Sequence, residues 1–370
     1  MQPQLEIQII AVIVSVACSL PGVFLVLRKM SMMSDAITHT ILLGIVIAFF
    51  MVHSLTSPLL IIGAAAVGVL TGFLTEMLHN TRLMSEDSAI GIVFPFLFSI
   101  AIIIISKYAG LVHLDTDSVL LGELAFAPFD RMRVFGIDIG AKAIYSMGAI
   151  LIMNILFVTI FFKELKIVTF DPTLASVLGF SPILIHYLLM TVVSITAVGS
   201  FQAVGSILVV AFMIGPPVIA YLLTDNLKHM VLIAALAGAV SGISGYQFAS
   251  IFDISIAGSM AIMVGTIFLI VFIFAPERGL LTTIKRRKHQ KVDFAEKSLI
   301  FHIYNHEGTD NEYIECGVNT IKDHLHWDND FLNFIVEKLK REEKICIEDN
   351  VIKLTKSGRE YGIKSMSQLF

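Results

Sequence analysis

Nine stretches of the chain stay apolar long enough to cross a membrane, and short polar segments separate them. A spanning helix needs about 20 predominantly apolar residues. Such runs fall at 7–27, 36–52, 58–78, 88–106, 139–162, 183–199, 203–223, 230–250 and 256–275. Between the fourth and fifth, 110–128 is interrupted by His113, Asp115, Asp117 and Glu123. It is too polar to span and reads as an interfacial or re-entrant piece. Beyond Lys291 the pattern becomes that of a soluble domain. A helix is expected at 294–306, then a helix pair at 318–326 and 329–344 split at Trp327-Asp328. Two short strands, 345–347 and 351–354, flank the turn Glu348-Asp349-Asn350. That order is a winged helix. The predicted fold is therefore an all-α polytopic membrane protein with a small C-terminal winged-helix domain. Its parts are a transmembrane domain at 1–281, a basic linker at 282–293 and the winged helix at 294–370.

Composition agrees with this division. The chain is 56% hydrophobic and 15% charged, with a mean hydropathy of +0.83, whereas soluble domains carry about 25% charged residues. The net charge of −4 belongs to the end of the chain, because residues 291–370 hold 11 Lys and Arg against 15 Asp and Glu. The three cysteines, Cys18, Cys316 and Cys346, form no CxxC pair, which gives neither a disulfide framework nor a zinc site. Met1 to Gln8 lacks a basic cluster, so no cleavable leader is expected.

Lys and Arg near the helix ends set the orientation. Lys285, Arg286, Arg287 and Lys288 follow the last span and place the C-terminal domain in the cytoplasm. Counting back, Lys228, Lys163 with Lys166, Arg82, and Arg28 with Lys29 all fall inside, and the N-terminus outside. Arg131 and Arg133 are the exception. An even number of spans with the N-terminus inside is the competing topology.

Candidate chemistry is sparse. Asp35 and His39 stand four residues apart at the start of the second apolar run, which puts them on one helix face. Charged groups there cost about 2.5–3.5 kcal/mol in lipid, so they need a partner, water or a metal. Mixed oxygen and nitrogen donors suit Mn²⁺, Zn²⁺ and Fe²⁺. The plainer reading is a helix-start cap with a packed histidine. Glu123, beside Gly122, and His53, at the outer end of the second run, are further polar groups that could face a path. Between the fifth and sixth runs, Asp171-Pro172 begins a short helix, with Asp171 as N-cap and Pro172 at its first position, ended by Gly179. Its apolar residues, Leu174, Val177 and Leu178, ask for a partner protein or for the chain's own helices. Gly215-Pro216-Pro217 is expected to interrupt a helix. No phosphate-binding GxxxxGK[ST] sequence occurs, so the chain does not cradle ATP through that loop. His302 and His306 share a helix face, but His302, His306, His324 and His326 make no recognisable ligand set by spacing.

Several of these stretches, in order, resemble the permease subunits of bacterial manganese, zinc and iron ABC importers. They are Met33-Ser34-Asp35-Ala36-Ile37-Thr38-His39, Glu86-Asp87-Ser88-Ala89-Ile90-Gly91-Ile92, Leu121-Gly122-Glu123-Leu124, Phe170-Asp171-Pro172 with Ala175 and Leu178-Gly179, and Gln202-Ala203-Val204-Gly205. The resemblance covers residues 7–281 and departs from the family's usual pattern at Ser34 (commonly Gly) and at Pro216-Pro217. It implies a cobalamin-permease-like fold in the bacterial cytoplasmic membrane and a second permease chain, identical or paralogous. It also implies a separate ATPase subunit, an extracytoplasmic metal-binding protein and no permanently bound cofactor. Asp35 and His39 would then meet the transported Mn, Zn or Fe ion, and Phe170, Asp171, Pro172, Leu174, Ala175, Leu178 and Gly179 would dock the ATPase. The C-terminal extension, notably Leu354-Thr355-Lys356-Ser357-Gly358-Arg359, resembles the DNA-binding part of metal-dependent repressors. Its acidic charge argues against DNA, which needs a basic face. A membrane-tethered transcription regulator and an ATP-independent metal carrier are the competing functions.

Overall fold

The computed structural model describes residues 3–53, 57, 59–108, 124–134 and 137–366. It divides into two units, Met1–Gly279 and Leu280–Phe370. Among the described residues of the first unit, nine helices are long and apolar enough to cross a membrane. They are α1 (Pro3–Leu27), α2 (Ser31–Val52), α3 (Leu59–Asn80), α4 (Glu86–Tyr108), α5 (Lys142–Ile160), α8 (Pro182–Val204), α9 (Ser206–Leu223), α10 (Leu227–Phe252) and α11 (Ile256–Phe274). Two short helices, α6 (Phe162–Phe170) and α7 (Pro172–Val177), join α5 to α8.

The first helix is the axis of the bundle, packed by α5, α8, α9 and α10. Small residues set that closeness: Gly238 and Gly242 of α10 lie against Ser15 and Ala11 of α1. A parallel device joins α2 to α3, where a β-carbon on Gly44 would stand 2.3 Å from the Gly63 carbonyl oxygen. Some buried polar groups are matched across helices. Asn154 Nδ2 of α5 donates to the Ala17 carbonyl (2.8 Å) and to Thr196 Oγ1 of α8 (2.9 Å). Thr71 donates to Thr40 at 2.8 Å between α3 and α2. With no water in the bilayer core to solvate such groups, each needs a protein partner.

Two expectations are corrected. The helix does not break at Gly215-Pro216-Pro217; α9 runs through from Ser206 to Leu223. Pro217 cannot donate to the Met213 carbonyl four residues back, and that oxygen faces Gly22 of α1. A β-carbon on Gly22 would stand 2.1 Å from it. The neighbouring helix thus covers the orphaned carbonyl with Cα–H rather than a side chain. The second correction lies between α4 and α5, where an all-helical reading has no strands. A short 3₁₀ helix (Leu124–Phe129) leads into an antiparallel hairpin of β1 (Arg131–Val134) and β2 (Ile137–Ala141). The hairpin also explains why Arg131 is an exception to the orientation rule. Its guanidinium meets Asp138 at 2.6 Å and the buried carboxylate of Glu6 at 3.2 Å, so its charge is matched inside the protein.

The second unit begins with a long helix, α12 (Leu280–His306), which contains the basic run 285–288 and the segment 282–293 expected as a linker. Then come α13 (Glu312–Glu315), α14 (Ile321–Leu325), α15 (Asn329–Arg341), the hairpin β3 (Ile345–Glu348)–β4 (Val351–Leu354) and α16 (Lys356–Met366). Asp349 and Asn350 both adopt positive φ (50° and 64°), the geometry of a tight two-residue hairpin turn. The unit has its own core, built from Leu299, Ile300, Ile303, Ile335, Leu339 and Ile352 among others. Inside it Glu296 is buried and receives Lys338, with Lys344 at 4.0 Å.

Candidate functional site

Asp35 and His39 sit in the first turns of α2, where the backbone of a regular helix makes the four-residue spacing a contact. His39 Nε2 lies 3.5 Å from Asp35 Oδ1. Thr38 on the same turn donates to the Asp35 carbonyl at 2.7 Å. Two rings of α4 flank the imidazole, Phe94 at 5.2 Å and Phe98 edge-on at 6.1 Å. They restrict its rotation from one side only. The pair stays open, with side-chain exposures of 39% for Asp35 and 27% for His39, while Met33, Ser34, Ala36 and Ile37 around them are buried. An acidic oxygen and an imidazole nitrogen are thus presented together on an uncovered face of an otherwise apolar helix.

His53 caps the far end of α2 with φ at 52° and stacks edge-on against Phe49. Fourteen residues beyond His39, it falls near the same helix face, roughly 21 Å along the axis at 1.5 Å per residue. Asp35, His39 and His53 therefore share one side of α2 without meeting. Glu123, and with it His113, Asp115 and Asp117, lies outside the described residues.

The short helix between α6 and α8 forms as its residues demand. Asp171 Oδ1 accepts the Leu174 N–H at 2.9 Å, Pro172 occupies the first turn, and Gly179 leaves with φ at 86°. Ala175 is fully buried and anchors it. Phe170, Leu174, Val177 and Leu178 point away, 48–80% exposed. Four apolar side chains on two turns make a patch too concentrated to be scatter.

Sequence reasoning passed over a second polar cluster. His186 of α8 faces Glu76 of α3 at 3.6 Å. Glu76 Oε2, His186 Nε2 and Glu86 Oε1 are buried without a hydrogen-bond partner. They line a cavity of about 170 Å³ with Met33, Thr75 and His79. Arg28, beside it, is pushed down to about 10 by burial and still carries its charge at neutral pH. The signal was present: Glu76 is a carboxylate inside the third apolar run, costly there without a role.

The profile of the ABC 3 transport family matches residues 4–275. The chain belongs to this family. The manganese transport system membrane protein MntD of Bacillus subtilis (strain 168) is 47% identical over 271 residues, spanning 73% of this chain and 92% of that protein. The zinc transport system membrane protein TroD of Treponema pallidum (strain Nichols) is 45% identical over 323 residues, 87% of this chain and 88% of that protein. An alignment of that length extends beyond α11 into the second unit. Among solved structures, the first unit resembles a chain of PsaBC from Streptococcus pneumoniae in complex with Fab. The TM-score is 0.62 and the identity 28%, over 75% of this chain and 94% of that one.

Proposed function

We propose that this protein is the permease subunit of an ABC importer that carries a divalent transition metal, manganese, zinc or iron, across the bacterial cytoplasmic membrane. ATP is hydrolysed on a separate partner chain. The observation that carries this reading is the Asp35–His39 pair, two metal-competent donors 3.5 Å apart on an open face of a spanning helix. One chain supplies two donors, fewer than the four that zinc takes in a closed site. A second permease chain, identical or related, would bring another carboxylate and another imidazole to the same place. An incomplete site suits passage: donors must be strong enough to strip water from the ion yet not hold it. His53, further along the same face, would stand near the outer mouth, where an extracytoplasmic metal-binding protein delivers the ion. Glu123 would contribute from the segment before the 3₁₀ helix.

The exposed patch on α7 would seat the ATPase, with Phe170, Leu174, Val177 and Leu178 inserted and Asp171, Pro172, Ala175 and Gly179 holding the helix in shape. The second unit, read as a cytoplasmic winged helix, is suited to regulation or partner docking rather than to DNA.

The test is uptake measured one ion at a time in cells carrying the whole transporter. Asp35→Ala and His39→Ala should each abolish uptake of the transported metal while the protein still inserts and assembles. Near-normal uptake in both variants would remove Asp35 and His39 from the path.

A further inference from the structure

Three short elements of the second unit converge on one carboxylate. His302 and His306 stand a turn apart at the end of α12, with ring centroids 4.8 Å apart. The chain then reverses through Gly308, whose φ of 77° admits the turn, and returns along α13 to Glu315. Glu315 Oε2 lies 3.7 Å from His302 Nε2 and 3.1 Å from Nδ1 of His324 on α14. One donor atom each from His302, His306 and Glu315 can be chosen so that all three lie within 4.8 Å of one another. Among the described residues this is the only group of three or more His, Cys, Asp or Glu with that property.

The distances suit an ion. Donors around a tetrahedral Zn²⁺ held at about 2.1 Å stand roughly 3.4 Å apart, close to the 3.7 Å between Glu315 Oε2 and His302 Nε2. The chemistry agrees. A neutral imidazole carries one N–H and one lone pair, so His302 and His306 can each offer a nitrogen lone pair beside the Glu315 carboxylate. His302 and Glu315 are half-buried, with side-chain exposures of 15% and 22%. The neighbouring Cys316 is sealed in the apolar core, and His326 turns back to the His324 carbonyl, so neither joins the set.

We propose that His302, His306 and Glu315 form a binding site for a borderline divalent transition ion, zinc above all, in the second unit. The site is independent of Asp35 and His39. Imidazole-rich donors with one carboxylate favour zinc over magnesium or calcium. An ion there would tie α12 and α13 together, stabilising the unit as its free concentration rises.

The experiment uses the purified full chain in detergent, carrying Asp35→Ala and His39→Ala so that the membrane pair cannot contribute. Zn²⁺ alone is titrated against a chromophoric chelator. One tight equivalent is expected. Glu315→Gln and His306→Gln should each weaken it by at least about tenfold and abolish the zinc-dependent rise in melting temperature, while melting in EDTA stays unchanged. His326→Asn, a histidine close by but outside the set, should bind as the parent does. Unchanged affinity in both Glu315→Gln and His306→Gln, absence of a tight equivalent in the parent, or an equal loss in His326→Asn would overturn the site. Because the membrane pair is silenced throughout, none of these results bears on the transport reading.

Discussion

Gly22 shows how much a single residue decides here. The prolines of α9 release the Met213 carbonyl, and only a residue without a β-carbon lets α1 approach closely enough to cover it, since an added one would lie 2.1 Å from the oxygen and 3.0 Å from Pro217 Cγ. Both atoms belong to a rigid part of α9, so neither can yield cheaply. Gly22→Ala should destabilise the detergent-purified chain by about 1–3 kcal/mol, the usual cost of overpacking, seen as a lowered melting temperature. Gly91→Ala, where nothing lies within 4 Å of the added carbon, should leave it unchanged or slightly raised. Equal effects of the two substitutions would refute this account of Pro216-Pro217. Glu296 is the corresponding residue of the second unit, a buried carboxylate that receives Lys338. Glu296→Gln should cost about 1.5–3 kcal/mol in thermal unfolding, the range for hydrogen bonds to charged groups. The hydrogen bond to Glu296 raises the Lys338 ammonium above its ordinary 10.5. A raised base stabilises below its unfolded value and loses that contribution as pH climbs through its folded one. The deficit of Glu296→Gln relative to the parent should therefore be full at neutral pH and shrink only above about pH 10.5.

At the scale of elements, α7 separates folding from function. Asp171, Pro172 and Gly179 make the helix, Ala175 fastens it, and the large apolar residues contribute little to either because they face outward. Leu174→Asp should therefore leave the chain folded and inserted while weakening capture of the ATPase and stimulation of its hydrolysis. The charge would be placed uncompensated in the contact proposed for the ATPase. Co-purification of the ATPase at parental yield, with hydrolysis still stimulated, would assign α7 another role. Local chemistry was enough to locate this helix in the sequence. Its exposed face was legible only as a demand for some partner.

The whole molecule joins an apolar bundle, in which cross-helix hydrogen bonds and small residues set the packing, to a second unit with a core of its own. The second unit carries the order of helices and hairpin expected of a DNA reader, but not the charge. Residues 291–370 are net acidic, Lys338 is drawn to Glu296, and Arg341 pairs with Glu337. A protein with 6–10 phosphate contacts loses about 10³–10⁵ in affinity between 50 and 200 mM salt, and few free cations remain here to make such contacts. Residues 291–370 should bind no duplex DNA in an electrophoretic shift assay at 50 mM salt, and their deletion should change the rate or metal feedback of transport. Submicromolar, salt-sensitive DNA binding would reverse the reading. Deletion without effect on transport would leave the unit a structural part.

The order and approximate bounds of the nine spanning helices, the Asp171-Pro172 helix start, the Asp35–His39 contact and the 345–354 hairpin were all determined by the sequence alone. Each depends on residues within a few positions of one another, where helix period, capping and turn chemistry act directly. The pairing of distant residues was not legible. Nothing local says that Arg131 meets Glu6, that Glu76 faces His186, that Gly22 covers the carbonyl of Met213, or that Glu315 comes to His302 and His324. Those contacts were decided by which helix faces pack together. That choice rests on close steric fit and on matching buried polar groups, summed over the whole bundle rather than written in any one stretch.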